Sequence, residues 1–253
     1  MGINEVFLRP TVKQVAFQIL FPNLFGIENK IGEFQLKIFE KFPDSRLLTR
    51  RQVLFADIGP EGKMENIPSF DDTRLGNKIW QFLSANKYEL NITNNSLTII
   101  SKVHKSYNQG DGEKFRDIIE YVISPFITTI NPPLINRLGL RYTDYCPIFE
   151  KNNKSFKEYY NTLFPLNKFK IEDSEEILFR GVTKRKKFNL IYMEQLLKAE
   201  EKKWEHIMDF DAFALNLKPS ELVSVTDKLH DIISQEYNDR ITEKFKEYMR
   251  RSS

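Results

Sequence analysis

The chain has 253 residues, 41 % hydrophobic and 29 % charged, the balance of an ordinary folded protein and not of a disordered one. That length admits one large domain or two small ones, and a net charge of +3 is too small to imply a nucleic-acid partner by itself. One cysteine, Cys146, excludes an internal disulfide framework and any multi-cysteine zinc site, and it fits a reducing compartment. Aromatic residues reach 13 %, 21 of them Phe, which predicts a Phe-rich interior. The start, Met1–Glu5, is not basic, and charges interrupt Gly26–Phe42. No apolar run approaches the roughly 20 residues that span a bilayer. A cytoplasmic, prokaryotic-looking protein is expected.

In chain order, Val15, Phe17, Ile19 and Phe21 alternate with Gln14, Ala16, Gln18 and Leu20, the period of a strand, closed by Pro22 and Asn23. Ile27, Ile31, Phe34, Ile38 and Phe42 recur at steps of three and four, one face of a helix, which Pro43 should stop. Residues 46–58 read as a strand, and Gly59–Gly76 as a loop rich in Gly, Pro and Asp. Ile79–Ile92 and Leu97–His104 read as two or three antiparallel strands with turns near Ser84–Lys87 and at Asn94-Asn95. Asp111 is the expected N-cap of a helix bearing Phe115, Ile118, Ile119, Val122 and Phe126, and Pro125 should kink it.

Asn131-Pro132-Pro133 breaks the chain, and the order then repeats. A strand covers Leu134–Cys146, and a short helix covers Ser155–Phe164, stopped by Pro165. Strands are expected at 175–183, 187–199 and 204–216. A final helix begins near Ser220 and carries Leu222, Val225, Leu229, Ile232, Tyr237, Ile241, Phe245 and Tyr248. At about eight turns it would be roughly 45 Å long. Each half therefore reads β-α-β-β-β-α, with 1–131 as the first half and 132–253 as the second. The expectation is an α+β fold of pseudo-duplicated units. Its antiparallel strands form two sheets or one, with helices on one face and the other open to solvent or a partner.

Few residues carry recognisable chemistry. His104, His206 and His230 form no HExxH or His/Cys pattern, His230 reads as a packing residue, and no G-x-S-x-G elbow is present. Asp209 and Asp211, two apart on a strand, should share a face and could hold Mg²⁺ with Glu194 or Glu205, while Glu200-Glu201-Lys202 loosely matches the end of a nuclease site. The simpler reading is a polar strand face anchored by Phe210 and Phe213. Gly110-Asp111-Gly112-Glu113-Lys114 precedes a helix, as a phosphate loop would, but lacks a P-loop's length and its Lys-Ser/Thr ending; a turn explains it equally. Lys184, Arg185, Lys186 and Lys187 form a basic hairpin with Arg180 nearby, and Arg137 and Arg141 share a polar strand face followed by Tyr142. Basic residues interleaved with aromatics suit a nucleic-acid backbone. A solvated tip that discourages edge pairing is the alternative.

Several stretches together carry a likeness. They are Pro10-Thr11-Val12-Lys13-Gln14-Val15-Ala16-Phe17, Trp80-Gln81-Phe82-Leu83-Ser84, Asn136-Arg137-Leu138-Gly139-Leu140-Arg141-Tyr142-Thr143, Met208-Asp209-Phe210-Asp211 and Leu229-His230-Asp231. Their order and spacing resemble a sporadically distributed family of bacterial and archaeal proteins of about this length, with R-[LI]-G-L-R-Y as the most specific segment. The chain departs from that pattern at Leu8-Arg9-Pro10, where such proteins often have Asn-Pro-Pro. The resemblance implies no established activity and no agreed catalytic residues, and the scattered distribution implies mobile or defence-associated loci. In size and build the chain also resembles the stand-alone partners of short prokaryotic Argonautes, which supply a missing N-terminal lobe. The resulting expectation is a non-catalytic binding protein without cofactor or metal. It would engage a neighbouring-gene product and DNA or RNA through Arg137, Arg141, Arg180, Lys184, Arg185, Lys186 and Lys187. A Mg²⁺-dependent nuclease using Asp209 and Asp211, and a purely protein-binding adaptor acting through the final helix, are the alternatives.

Overall fold

The computed structural model describes residues 5–50, 77–198 and 204–251. Its strands are β1 (Val12–Leu20), β2 (Asp44–Arg50), β3 (Asn77–Leu83), β4 (Tyr88–Ile92), β5 (Ser96–Ser101), β6 (Ile135–Cys146), β7 (Glu176–Arg185), β8 (Phe188–Lys198) and β9 (Trp204–Leu217). Its helices are α1 (Glu28–Ile38), α2 (Phe115–Thr129), α3 (Asn153–Tyr159), α4 (Leu222–Arg240) and α5 (Glu243–Arg250). All nine strands form one sheet, in the order β2-β3-β4-β5-β1-β6-β9-β8-β7, and every pair is antiparallel.

That order makes the duplication visible. In the first half β1 pairs with β5, and β4, β3 and β2 follow outward; in the second, β6 pairs with β9, and β8 and β7 follow. The halves meet where β1 and β6 run side by side, with Phe17 opposite Leu140. Of the two or three strands expected between Ile79 and His104 there are three, separated at the Ser84–Lys87 and Asn94-Asn95 turns, so the first half has one strand more than the β-α-β-β-β-α order. The expected residues 51–58 of the second strand, and the Gly59–Gly76 loop, lie outside the described residues.

Period-2 burial places Val15, Phe17 and Ile19 of β1, Leu138 and Leu140 of β6, and Met208, Phe210 and Ala212 of β9 on one side. There α1 contributes Ile31, Phe34 and Ile38, and α2 contributes Phe115, Ile118, Val122 and Phe126. The Phe-rich interior is present: Phe34 lies edge-on to Phe82 at 6.1 Å and to Phe126 at 6.2 Å. Each such ring contributes about 1.5–3 kcal/mol by leaving water. In the second half α4 sets Leu222, Val225, Leu229 and Ile233 against β6 and β9. One apolar cluster joins the two halves.

Helix ends differ from expectation in four places. Asp111 does not cap α2: the N-cap is Lys114, without a side-chain bond, and Tyr107 O accepts the Arg116 N–H at 3.0 Å. Pro125 lies inside α2, as expected, and Asn131 follows that helix at φ 52°, the left-handed conformation that Asn tolerates. α1 and α3 stop short of Pro43 and Pro165. The expected single C-terminal helix is divided. Ile241 is extended and bridges Tyr160, and Thr242 then caps α5 by accepting the Phe245 N–H. α4 alone, at 19 residues, is about 28 Å long. Among the described residues no helix is long and apolar enough to cross a membrane.

Candidate functional site

The helices of the described residues all lie on one side of the sheet, so the side chains that alternate with the core form a face that the described residues leave uncovered. At its centre β6 presents Arg137, Gly139, Arg141 and Thr143, opposite Leu215, Phe213, Asp211 and Asp209 of β9. Both arginines reach along β9 from their opposite positions: Arg141 by two residues, the ordinary diagonal, and Arg137 by four, over Phe213. Arg137 Nη2 donates to both oxygens of Asp211 at 2.7 Å, and its Nη1 donates to Gln18 Oε1 of β1 at 3.3 Å. Arg141 Nε donates to Asp209 at 2.8 and 3.1 Å, and its Nη2 donates to the same carboxylate.

Gly139 makes room for this arrangement. The Arg137 guanidinium folds back over it, into the space that a Cβ at 139 would take, and lies 4.6 Å from the Phe213 ring centroid. The R-L-G-L-R segment thus sets two arginines about a gap that the first of them fills. The Asp209 side chain is only 6 % exposed while Arg141 is 52 % exposed, so the arginine covers the carboxylate from the solvent side. The hydrogen bond to Asp209 raises the Arg141 pKa against the opposing effect of burial, aided by the charges of Asp209 and Asp211.

The two aspartates do share a face, as their spacing predicts, but each carboxylate is held by a guanidinium. The partners expected to complete a metal site are elsewhere. Glu194 of β8 points to the helix-covered side, where it is fully buried against His206, and Glu205 stands four positions along β9 from Asp209. Glu200-Glu201-Lys202 lies outside the described residues. Among the described residues no group of three His, Cys, Asp or Glu is placed to hold a metal ion.

The basic hairpin divides by strand parity. Lys186 and Lys187 are its two-residue turn, with Lys186 at φ 57°. Arg180 and Lys184 share the uncovered face of the edge strand β7 with Leu178 and Val182, which are 56 and 57 % exposed. Arg185 points the other way and pairs with Glu236 of α4, itself only 5 % exposed. Of the seven candidate cations, Arg137, Arg141 and Arg185 are therefore bound to carboxylates. Arg180, Lys184, Lys186 and Lys187 form no ion pair with the described residues, and the Lys187 ammonium lies 5.5 Å from the Phe188 ring centroid.

The histidines are packed. His104 is buried between Tyr88 and Phe115 and bonded to Ser101, His206 sits among Phe156, Tyr160 and Phe164, and His230 stacks on Tyr107. In the Gly110–Lys114 turn, Gly110 and Gly112 have φ of 80° and 87°, and Glu113 accepts from Lys41 and Tyr88. A carboxylate thus stands near the start of α2 where a phosphate loop would keep space for its anion. The Arg–Asp pairing was the feature hardest to read from sequence. Its signal is two opposite-charge i, i+2 or i, i+4 patterns on strands that turn out to be neighbours. No family model, no curated protein and no solved structure matches this chain.

Proposed function

We propose that the protein is a binding protein that holds a nucleic-acid backbone along the β7 rim of its uncovered sheet face. The observation that carries this reading is the uneven use of positive charge. The arginines at the centre of the face are neutralised by aspartates, whereas Arg180, Lys184, Lys186 and Lys187 at the rim are left without carboxylate partners among the described residues. Leu178 and Val182 alternate with two of these cations and would lie against sugars or base faces. The reading assigns no catalytic residue and needs no metal. Its likeness to Argonaute partner proteins makes a second protein, encoded nearby, the natural companion in such a complex.

The test is salt dependence. Each neutralised phosphate releases counterions, so log affinity should fall with log salt by about 0.7–0.9 per contact. Binding of a fluorescent single-stranded DNA, single-stranded RNA and duplex is measured by anisotropy, with the protein alone and with the neighbouring-gene product. Replacing Arg180, Lys184, Lys186 and Lys187 by Ser should flatten the slope by up to about three units and weaken all sequences alike. An unchanged slope, or no binding at low salt by either form, removes this reading and leaves a protein-binding adaptor in its place.

A further inference from the structure

On the helix-covered side, far in character from the charged face, the segment from Glu5 to Pro10 crosses over the junction of β6 and α4. It is fastened there by the Arg9 N–H to Met249 O at 3.0 Å and by Arg250 to Glu5 at 2.7 and 2.9 Å. Beneath it lies a cavity of about 110 Å³. It is partly open to solvent, and its volume is comparable to the roughly 150 Å³ apolar cavities that bind benzene, room for about one six-membered ring. Most of its wall is apolar, but its polar groups are unusual and converge.

Asp144 of β6 reaches it and is only 2 % exposed. Thr11 Oγ1 donates to its Oδ1 at 2.8 Å, and the Tyr237 hydroxyl lies 2.7 Å from the same Thr11 oxygen. A threonine hydroxyl has one proton, so while Asp144 is ionised Tyr237 donates to Thr11, which donates to Asp144. The carboxylate is thereby fixed in orientation. Tyr142, two residues earlier on the same face of β6, also lines the cavity, and its buried hydroxyl has no partner among the described residues. A buried unpaired hydroxyl costs about 1–3 kcal/mol, so one that persists needs an explanation. One wall is planar. His230 stacks on Tyr107 at 4.3 Å and 14°, and Tyr107 is held by its hydroxyl donating to Asp227 at 2.7 Å. Burial lowers the His230 pKa to about 4, so at neutral pH that wall is uncharged.

These groups select a ligand class. Burial pushes the Asp144 carboxyl up to about 7, against the lowering effect of its Thr11 hydrogen bond, so near neutrality it is shared between the acid and the carboxylate, and an anion would face the charged form. A second ammonium would crowd Lys105, which also lines the cavity and whose ammonium is held by Val12 O at 2.7 Å. A neutral flat ring with an N–H donor beside an acceptor meets both polar groups, the donor toward Asp144 and the acceptor toward the Tyr142 hydroxyl. We propose that this cavity is a binding site for a planar one-ring nitrogen heterocycle of the pyrimidine-base type, recognised by Asp144 and Tyr142 beside the Tyr107–His230 wall.

The experiment titrates cytosine, uracil and benzylamine into the full chain by calorimetry, with ligand-observed NMR for weak binding. At least one base should bind, and better than benzylamine. Tyr142→Phe should weaken that base about tenfold, the loss of one hydrogen bond. The same substitution should leave the melting temperature unchanged or raise it, because it deletes a hydroxyl that has no partner among the described residues. Asp144→Asn should also weaken binding. Tighter binding of benzylamine than of either base would make the cavity an amine site and overturn the proposal. So would base affinities unmoved by Tyr142→Phe and Asp144→Asn. Binding of none of the three at millimolar concentration would mean that the cavity holds only water.

Discussion

The guanidinium of Arg137 occupies the space above Gly139, two residues along the same strand. A glycine inside a strand ordinarily weakens it by roughly 0.5–1 kcal/mol relative to Ala. Here the missing side chain admits the contacts of Arg137 with Asp211, Gln18 and Phe213. Gly139→Ala should therefore destabilise the protein by about 1 kcal/mol or more, with Arg137 displaced from Asp211. In an Arg137→Ala background the methyl group meets no guanidinium, and the same substitution should stabilise by about 0.5–1 kcal/mol. A double-mutant cycle by urea unfolding reads the reversal of sign. Additive effects would show that Gly139 is not there for Arg137.

The helix-covered side holds a second polar pair, Glu194 and His206, both fully buried and 3.0 Å apart. Burial pushes the Glu194 carboxyl upward, but the His206 bond and charge, with Thr162 and the Leu163 N–H, outweigh it and hold the group below its ordinary value. A carboxylate depressed in the folded state adds stability above its unfolded pKa of about 4.3 and loses it as pH falls through the lower folded value. Glu194→Gln keeps an acceptor for Leu163 and should cost about 1–2 kcal/mol at pH 7. Glu194→Ala, which leaves a cavity and strands two donors, should cost about 3–5 kcal/mol. Chemical unfolding at pH 7 and pH 3 should show the gap between wild type and Glu194→Gln narrowing in acid; a gap that widens in acid would contradict the assignment.

Strand positions were legible because alternation is a local property. Val15, Phe17 and Ile19 announce a half-buried strand without knowledge of its neighbours, and β7, β8 and β9 lie within a few residues of expectation. The end of α4 was not legible. The apolar stripe continues through Ile241 and Phe245, and only the bridge from Ile241 to Tyr160, far away in sequence, shows why the helix must stop. The cations fared the same way. Alternation places Arg137 and Arg141 on one face correctly, but their charge is cancelled by residues on another strand, and no local pattern reveals that β6 and β9 are neighbours. Arg185 is separated from Lys184 by strand parity alone.

The charged lattice makes a prediction about metal. Asp209 is covered by Arg141, so Arg141→Ala strands a carboxylate that is almost fully buried and should cost about 2–4 kcal/mol. Pairing it with Asp209→Asn should recover a large part of that loss. Because both carboxylates are already engaged, 10 mM Mg²⁺, on the order of ordinary assay concentrations, should not shift the melting temperature of the wild-type protein. A metal-dependent rise that Asp209→Asn abolishes would revive the nuclease alternative.

The hairpin offers the sharpest contrast, because two adjacent cations should behave differently. Arg185 turns toward α4 and pairs with Glu236, which is nearly buried and is also approached by Arg240 at 3.5 Å. Arg185→Ala leaves that carboxylate with one cation instead of two and removes the arginine stem from the helix. A loss of about 1–2 kcal/mol is expected, moderated by Arg240. Lys184 is exposed on the opposite face with no carboxylate partner among the described residues, so Lys184→Ala should alter stability by no more than about 0.5 kcal/mol. Nucleic-acid binding should show the reverse order. Lys184→Ala should lower the salt slope by about 0.7–0.9, and Arg185→Ala should leave it nearly unchanged in the fraction that remains folded. Thermal melts and anisotropy titrations on the two single variants supply all four measurements. Equal slopes for both variants would mean that Lys184 does not touch a phosphate, and that the uncovered rim is no more than a solvated edge.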